Sequence, residues 1–312
     1  MSACDVSIVI VSWNTRELLA ACLDSVAAEV GRGGLAVETF VVDNASADGS
    51  PKVVSDRFPW VKLLVNEQNV GFAQGNNRAI EQATGRYILL LNPDTELKPG
   101  SLNQLYDFLE SRPEVGMVGP RLLNGDGSLQ PSCFKAPTLL REFWLLFHLD
   151  ALFPAVSGYS VEKWAVEVSR PVEVLKGACV LLRRSLFAQI GLLNTTYFMY
   201  SEEVDLCYRV RQAGWQIYWL PQAQVVHYGG QSTGQVADAM FIRLYEAKTL
   251  YFRLNHGRPA ALLYKIILLL AAFTRLALSP LTLLQTPAGR QKNLTLARRY
   301  WQLLVRVMSY EL

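Results

Sequence analysis

Short apolar runs alternate with helix-like segments through the first third of the chain. The predicted strands are Val6–Val11, Thr39–Val42, Val61–Val65 and Tyr87–Leu91, and the predicted helices are Thr15–Ala28 and Gln74–Ala83. Because consecutive parallel strands need helical crossovers, this alternation predicts an α/β fold with a parallel, doubly wound sheet.

The pattern loosens after residue 113 into shorter strands and turns rich in Gly and Pro. The predicted elements here are a strand over Val172–Leu182, a helix over Glu203–Ala213, and strands over Trp215–Leu220 and Gln224–His227 with a break at Pro221. From Asp238 onward the composition is helical. We therefore expect one domain over residues 1–237, with halves at 1–112 and 113–237, and a helical region over 238–312.

Composition excludes several classes of protein. At 312 residues, with 51% hydrophobic and 18% charged positions, the chain is too long and too apolar for a disordered tail. A net charge of +3 is too small to indicate a nucleic-acid-binding protein. The charge is uneven, however: residues 1–247 hold 20 Lys/Arg against 26 Asp/Glu, whereas residues 248–312 hold ten Lys/Arg and one acidic residue.

The cysteines and the N-terminal sequence indicate a cytoplasmic protein. The five cysteines are scattered and form no CxxC pair, which argues against a disulfide framework and a thiolate zinc site. The apolar run Val6–Ser12 follows no basic segment and is too short for a signal peptide. We therefore expect no export.

Polar residues follow the predicted strands, where doubly wound sheets bind their ligands. The first turn, Ser12-Trp13-Asn14-Thr15, has no glycine, so a G-x-G-x-x-G dinucleotide site is disfavoured, and no P-loop motif is present. Asp43 ends the second strand and could bind a nucleobase or ribose, although the run from Asp43 to Ser50 by itself favours an Asx turn or helix cap. The segment from Gly71 to Asn76 suits close approach to a diphosphate, or a packed turn.

Two further positions could hold a divalent cation. Asp94 lies in Asn92-Pro93-Asp94 after the fourth strand, and one carboxylate together with nucleotide phosphates is a usual site for Mg²⁺ or Mn²⁺. His227 ends an apolar strand, and as a ligand it would favour Mn²⁺. The alternatives are a turn aspartate and a structural histidine.

Three carboxylates, Glu202, Glu203 and Asp205, cluster at a predicted helix start after Ser201. Two of them are explained by the helix dipole and by Ser201 as the cap. The helix dipole and the cap do not explain the third carboxylate, because a buried-looking stretch follows it. A general base for a hydroxyl nucleophile would suit this helix start.

Seven segments, in order over residues 6–235, resemble family 2 glycosyltransferases with the GT-A fold, in the branch of rhamnosyltransferases and galactofuranosyltransferases. They are Val9–Asn14, Val41–Ser50, Asn69–Asn77, Leu90–Asp94, Lys176–Cys179, Phe198–Arg209 and His227–Ser232. The resemblance implies a Rossmann-like mixed sheet flanked by helices, with a nucleotide-sugar half and an acceptor half in the first domain.

The resemblance also implies roles for the residues. Asp43 would bind the nucleobase, Trp13 and Asn14 would line the nucleoside pocket, and Asp94 with His227 would hold the metal. The other donor-contacting positions would be Asn69, Gly71, Asn76 and Asn92. The acidic cluster of Glu202, Glu203 and Asp205 would supply the base, although the family's usual Glu-Asp pair reads Glu202-Glu203 here.

The implied reaction is an inverting, metal-dependent transfer from a nucleoside-diphosphate sugar, best guessed as dTDP-rhamnose, to a lipid-linked or polysaccharide acceptor. The absence of a Q-x-x-R-W motif, which processive members carry, favours the addition of one or a few sugars. The alternatives are a sugar nucleotidyltransferase, which would need a triphosphate loop after the first strand, and a non-catalytic membrane-docked protein that retains the fold.

The tail predicts membrane attachment. Residues 259–286 are strongly apolar, but Lys265 and Arg275 bracket only nine uncharged residues, fewer than the roughly 20 of a spanning helix. We therefore expect an interfacial helix pair on the cytoplasmic face of the membrane, peripheral or monotopic, rather than a buried helix followed by a solvated one. The cations expected at anionic headgroups are Lys265, Arg275, Arg290, Lys292, Arg298 and Arg299.

Overall fold

The computed structural model describes residues 4–149, 159, 164, 167–280 and 287–309, without the side chains of residues 232–233, 287–293 and 307–309. The chain divides into two compact units, Met1–Ala136 with Tyr159–Gln235, and Pro137–Gly158 with Val236–Leu312. The C-terminal segment of the second unit starts at Val236, two residues before the predicted boundary at residue 238. The second unit also includes residues 137–158, which the prediction placed in the first domain.

The first unit contains all of the described strands and seven of the described helices. The strands are β1 (Val6–Ser12), β2 (Val37–Asp43), β3 (Lys62–Val65), β4 (Tyr87–Leu91), β5 (Thr95–Leu97), β6 (Val115–Leu123), β7 (Leu129–Gln130), β8 (Cys133–Phe134), β9 (Arg170–Pro171), β10 (Val174–Leu175), β11 (Cys179–Arg183) and β12 (Gln216–His227). The helices of both units, in chain order, are α1 (Arg16–Gly31), α2 (Ser50–Arg57), α3 (Phe72–Ile80), α4 (Ser101–Glu110), α5 (Leu139–Leu146), α6 (Leu186–Ile190), α7 (Glu202–Gln212), α8 (Gln231–Gly234), α9 (Ala237–His256), α10 (Arg258–Leu278) and α11 (Pro287–Ser309).

One mixed sheet organises the first unit. Its strand order is β3-β2-β1-β4-β11-β6-β12-β5, with β7 paired to β6 and β9 to β12. The first four strands are parallel, as the alternation of strands and helices predicted. The next strand, β11, runs antiparallel to both of its neighbours. A mixed α/β sheet flanked by helices is therefore confirmed.

The apolar core lies on both faces of this sheet. Successive strand side chains point to opposite faces, so β1 contributes Ile8 and Ile10 to one side, with Leu23 of α1. Val9 and Val11 pack on the other side, with Ile80 of α3. Burial on both faces explains why β1 reads as a continuous apolar run rather than as an alternating one.

The predicted strand Val172–Leu182 is wrong as a single element. The structure divides it between β10, which pairs with β8 in a separate two-stranded sheet, and β11 in the main sheet. Residues 176–178 connect them, with the turn at Gly177 and Ala178, and the polar Lys176 and flexible Gly177 interrupt the apolar pattern. The predicted break at Pro221 is instead a register shift inside the continuous strand β12, between Leu220 and Gln224.

The second unit is helical in its described residues, as predicted from Asp238 onward. Its helices are joined by the ion pair between Lys248 Nζ and Glu142 Oε2, at 2.9 Å. Arg275 donates to the carbonyl of Leu146 at 2.8 Å and lies over the ring of Tyr300. We expected Arg275 to contact lipid headgroups, but its guanidinium contacts Leu146 and Tyr300 of the same unit instead.

Helix α10 is apolar on two faces. Ala261, Tyr264, Leu268 and Ala271 are buried. The exposed face consists of Leu262, Leu263, Ile266, Leu270 and Phe273, which are 44–66% accessible. By length and composition alone this helix could cross a membrane, and 28% of its apolar window is buried inside the structure. Residues 281–286 of the predicted apolar stretch, and the side chains of Arg290 and Lys292, lie outside the described part of the chain.

Glu38 of β2 connects β1 and β3 through hydrogen bonds at the amino-terminal end of the parallel strands. Burial opposes ionisation of its carboxylate, but hydrogen bonds from Lys62, Ser7 and Thr84 outweigh this and lower its pKa to about 2. A depressed pKa adds stability above the unfolded-state value, and that stability is lost as the pH falls toward 2.

We therefore predict that Glu38→Gln lowers the free energy of unfolding by about 1–2 kcal/mol at pH 7. The difference from the wild-type protein should shrink as the pH falls below about 4. Urea unfolding across this pH range measures both. The matched control is Asp56→Asn, which removes an exposed ion pair with Lys52 and should change little. A pH-independent loss in Glu38→Gln would contradict the prediction.

Candidate active site

The main sheet brings the predicted site residues toward one edge. In the parallel register Ser12 lies opposite Asp43, and Ile10 lies opposite Leu91, so β1, β2 and β4 all end there. Cys179 of β11 also lies opposite Leu91, which returns the preceding connection, residues 176–178, to the same edge. His227, the last residue of β12, pairs with Thr95 just beyond Asp94.

Asp94 and His227, the two residues expected to hold a metal, lie next to each other as a buried pair. Their side chains are 8% and 4% exposed, and His227 Nε2 lies 3.4 Å from Asp94 Oδ1. Nδ2 of Asn92 lies 3.4 Å from the same ring nitrogen. The Tyr228 N–H donates to the carbonyl of Asp94 at 3.0 Å, which links the two loops through the backbone.

Two residues beside this pair received no role from the sequence. Gln130, in the two-residue strand β7, places Oε1 at 2.6 Å from His227 Nδ1 and 2.9 Å from Lys176 Nζ. Burial lowers the pKa of Lys176, and the negative charges of Asp94 and Glu203 oppose that effect. Lys176 could have been noticed as a cation within an apolar run, whereas nothing in the sequence around Gln130 distinguishes it.

The Asp94–His227 pair fits a divalent cation that shares its ligands with a substrate. Within the described residues no group of three or more His, Cys, Asp and Glu side chains converges. Two neighbouring ligands of one Mg²⁺ or Mn²⁺ ion lie about 3 Å apart, close to the 3.4 Å between these two atoms. Carboxylate oxygen with imidazole nitrogen is a donor set that suits Mn²⁺. Substrate oxygens and water would complete the coordination.

The turn after β1 is built around Asn14, whose φ of 50° is left-handed. Its N–H donates to Ser46 Oγ at 2.9 Å, and its Oδ1 accepts from the Ala47 N–H at 2.8 Å. Asn14 therefore fixes the first turn against the second, with Trp13 half-buried next to it. A cavity of about 460 Å³ opens beside the turn. Its lining residues are Asn14, Thr15, Arg16, Glu17, Leu18 and Asp48.

Asp43 makes the predicted turn interaction with one carboxylate oxygen and leaves the other without a partner. The side chain is buried, and Oδ2 accepts from the Ser46 N–H at 2.8 Å, which is the expected turn interaction. Oδ1 is also buried but has no hydrogen-bond partner. An unpaired buried carboxylate oxygen is costly, so this atom is suited to accept a hydrogen bond from a ligand.

The loop from Asn69 to Phe72 is held by its own polar groups and by a distant segment. Asn69 Oδ1 accepts from the Gly71 N–H at 3.0 Å, and Asn76 Nδ2 donates to the Phe72 carbonyl at 2.9 Å. The Phe72 N–H donates to the carbonyl of Phe198 at 2.8 Å. Asn69 and Asn76 thus shape the loop expected to contact the donor, in keeping with the packed-turn interpretation.

The acidic helix start follows two left-handed residues, Tyr200 at φ 71° and Ser201 at φ 64°. Ser201 makes no side-chain capping bond, so the simple capping interpretation is wrong for it. Glu202 and Glu203 each leave a buried Oε2 without a hydrogen-bond partner. Burial raises the pKa of both carboxyls, with the charge of Glu203 adding to the effect on Glu202.

Asp205 is set apart from the other two carboxylates. Its Oδ2 accepts from Arg209 Nε at 2.8 Å, one turn along α7. Arg209 also donates to the carbonyls of Ile190 and Gly191. This ion pair anchors the helix to the segment before it, which is a structural task rather than a catalytic one.

Two family profiles and a set of curated proteins are similar to this chain. The profile of Glycosyl transferase family 2 matches residues 7–162, and that of Glycosyl transferase family group 2 matches residues 87–243. An N-acetylglucosaminyl-diphospho-decaprenol L-rhamnosyltransferase from Mycobacterium tuberculosis is 35% identical over 219 residues, or 64% of this chain and 69% of the relative.

Solved structures show the same fold at low identity. A mannosyltransferase from Pyrobaculum calidifontis, in complex with GDP-Man and Mn²⁺, has a TM-score of 0.59 at 17% identity and covers 97% of this chain and 87% of its own. GalNAc-T7 with UDP, GalNAc and Mn²⁺ has a TM-score of 0.53 at 15% identity, over 72% of this chain and 44% of its own. The GT-A architecture expected from the resemblance is therefore present.

The Gly71 contact generates a prediction about the donor loop. Gly71 has φ 84° and ψ 179°, and an added Cβ would lie 2.3 Å from the Phe198 carbonyl oxygen. Gly191 has a similar backbone, φ 72° and ψ 172°, with open space around it. Gly71→Ala should therefore lower the free energy of unfolding by about 2 kcal/mol more than Gly191→Ala, which carries backbone strain alone.

Chemical denaturation of the two variants measures this difference. Equal losses would mean that backbone strain alone matters and that the contact with Phe198 contributes nothing.

Proposed function

The chain belongs to glycosyl transferase family 2, and from this premise we propose an inverting, metal-dependent transfer of a sugar from a nucleoside-diphosphate donor. The single observation that carries the proposal is the buried Asp94–His227 pair, at an edge that also holds unpartnered carboxylate oxygens of Asp43 and Glu203. Membership in a family of glycosyltransferases also argues against the two alternatives, a sugar nucleotidyltransferase and a non-catalytic protein.

In this proposal Asp94 and His227 hold Mn²⁺ or Mg²⁺, whose positive charge would stabilise the departing nucleoside diphosphate. Asp43 Oδ1 accepts a hydrogen bond from the nucleoside, beside Trp13 and Asn14. Gly71 and the α3 start lie along the diphosphate, and Asn92, whose Nδ2 lies 3.4 Å from His227 Nε2, would contact the donor beside the metal. In these assignments the donor lies against residues 1–112, and the acceptor lies against the later part of the first unit, within residues 113–136 and 159–235.

Glu203 acts as the base in this proposal. Its carboxylate takes the proton of the acceptor hydroxyl as that oxygen bonds to the anomeric carbon of the donor sugar. The bond from the anomeric carbon to the diphosphate oxygen breaks, and its electron pair leaves with the nucleoside diphosphate. Burial raises the pKa of Glu203 toward the working pH, which suits a general base. The charge of Glu203 adds to the effect of burial in raising the pKa of the neighbouring Glu202.

We propose dTDP-rhamnose as the donor, with a lipid-linked or polysaccharide acceptor. The support comes from the Mycobacterium tuberculosis relative, whose name describes an L-rhamnosyltransferase acting on a decaprenol-linked sugar. The two solved structures contain GDP-Man and UDP with Mn²⁺, which supports a nucleotide-sugar donor and a divalent cation.

We also propose that the second unit attaches the enzyme to the cytoplasmic face of the cell membrane. The exposed apolar face of α10 would enter the acyl boundary, and the basic charge of residues 248–312 complements anionic headgroups. Of the cations expected there, Arg299 pairs with Asp238, while Arg298 is exposed. A decaprenol-linked acceptor in the relative makes such attachment useful.

The catalytic assignments predict different losses in two variants. Glu203→Gln should reduce transfer from dTDP-rhamnose by about 100-fold or more, because it removes the base but keeps the side-chain size. Its Mn²⁺-dependent binding of the nucleoside diphosphate should be unchanged. Asp94→Asn should weaken that binding by about tenfold or more, because a metal ligand is lost.

Transfer assays and titration calorimetry, with and without Mn²⁺, measure the two effects. Glu81→Gln, at the exposed end of α3, is the matched control and should behave like the wild-type protein. If Asp94→Asn kept full metal-dependent binding, the metal assignment would be wrong. A loss of nucleotide binding in Glu203→Gln would move Glu203 to a structural role.

Membrane attachment predicts a lipid-selective loss. The double variant Leu270→Ser and Phe273→Ser removes two side chains that are 54% and 66% exposed on α10. We expect its binding to phosphatidylglycerol vesicles to fall by about tenfold or more, since each large apolar side chain contributes roughly 1.5–3 kcal/mol on burial. Sedimentation with vesicles measures the bound fraction.

The control pair, Trp60→Ser and Val65→Ser, removes comparable exposed apolar groups from the first unit and should leave vesicle binding unchanged. Raised salt should weaken binding of the wild-type protein. Equal binding to phosphatidylcholine and phosphatidylglycerol would argue against the role of the basic charge.

A further inference from the structure

Gln130 makes four polar contacts at the candidate metal pair. Its Nε2 lies 2.9 Å from the His227 carbonyl oxygen and 2.8 Å from Asn124 Oδ1. Its Oε1 lies 2.9 Å from Lys176 Nζ and 2.6 Å from His227 Nδ1. The carboxamide therefore contacts both the backbone and the ring of His227.

These partners determine which way the carboxamide faces. A lysine ammonium only donates hydrogen bonds, so the Gln130 atom next to Lys176 must be the oxygen. A backbone carbonyl only accepts, so the Gln130 atom next to the His227 carbonyl must be the nitrogen. The neighbours of Gln130 alone therefore determine which carboxamide atom is the oxygen and which is the nitrogen.

The orientation of Gln130 fixes the tautomer of His227. Because the Gln130 oxygen faces Nδ1 at 2.6 Å, Nδ1 must carry the hydrogen and donate it. In a neutral ring the other nitrogen, Nε2, then carries the lone pair. Nε2 is the atom that lies 3.4 Å from Asp94 Oδ1, on the side of the candidate metal.

We propose that Gln130, anchored by Lys176, is a positioning residue that holds His227 in the Nδ1–H tautomer and aims the Nε2 lone pair at the divalent cation. This inference rests on the proposed function for the identity of the metal ligands. It extends that function to a residue in a separate strand, 97 positions away from His227 along the chain. Partners of this kind fix ring orientation and increase metal affinity.

The proposal is tested first without any metal. The chain has three histidines, so the imidazole nitrogen signals in a ¹⁵N-labelled protein are few, and His227→Gln identifies those of His227. In the wild-type protein at about pH 8 we expect the ring in the Nδ1–H form, because the Gln130 oxygen faces Nδ1. Gln130→Met, which has no acceptor, should shift the ring toward the Nε2–H form.

The second measurement is Mn²⁺ affinity, by electron paramagnetic resonance of the free ion in the presence of the nucleoside diphosphate. Gln130→Met should weaken Mn²⁺ binding by about 10- to 100-fold. Gln130→Glu keeps an acceptor for both Nδ1–H and Lys176, so it should restore the tautomer and most of the affinity. Gln82→Met, the same substitution at an exposed turn position just after α3, is the control, and thermal unfolding shows that each variant is folded.

An Nδ1–H ring in Gln130→Met, or an Nε2–H ring in the wild-type protein, would overturn the proposal. A changed tautomer with unchanged Mn²⁺ affinity would overturn it differently, because the fault would then lie in the ligand role given to His227 by the proposed function. A changed tautomer, weakened binding and rescue by Gln130→Glu together support it.

Discussion

Negative charge buried at the carboxyl edge of the sheet is the constraint on which the site depends. Asp43, Asp94 and Glu202 are nearly inaccessible, and Glu203 buries one of its carboxylate oxygens. Ionised carboxylates are costly to bury without partners, and Lys176 is a cation whose charge acts on both Asp94 and Glu203. The fold thus maintains an edge that a bound cation and hydrogen-bond donors would stabilise, which is the chemistry a nucleotide sugar with its metal supplies.

The parallel half of the fold was predictable because its strands are buried on both faces. Such strands read as continuous β-branched runs, and the polar residues after them fall at one edge for topological reasons alone. Asp43 and Asp94 were found in this way. The second half was less predictable, because its strands are short and their pairing is decided by distant partners. Val172–Leu182 had the composition of one strand, yet the connection at residues 176–178 divides it between two sheets.

Side-chain contacts were the least visible part of the site. Gln130 stands in a two-residue strand, and its importance comes from touching Lys176 and His227, which no local pattern indicates. Asp205 looked equivalent to Glu202 and Glu203, but Arg209, one helical turn away, pairs with it. Arg275 likewise had the composition of a surface cation, and a carbonyl on another helix of its unit engages it. In each case the partner decides the role.

The contacts that close the site join residues far apart in the chain. Asn92 and His227 are separated by 135 positions. Asn77 and Leu193 are separated by 116 positions, and the Asn77 side chain exchanges two hydrogen bonds with the backbone of Leu193. Closing such long loops costs chain entropy before the contacts contribute favourable free energy. We therefore expect interactions of this kind to form late in folding. During synthesis the parallel strands β1 to β4 would emerge before β11 and β12, which complete the sheet beside them. Under the proposed function, a chain released before β12 would lack His227 and with it one of the two protein ligands of the metal.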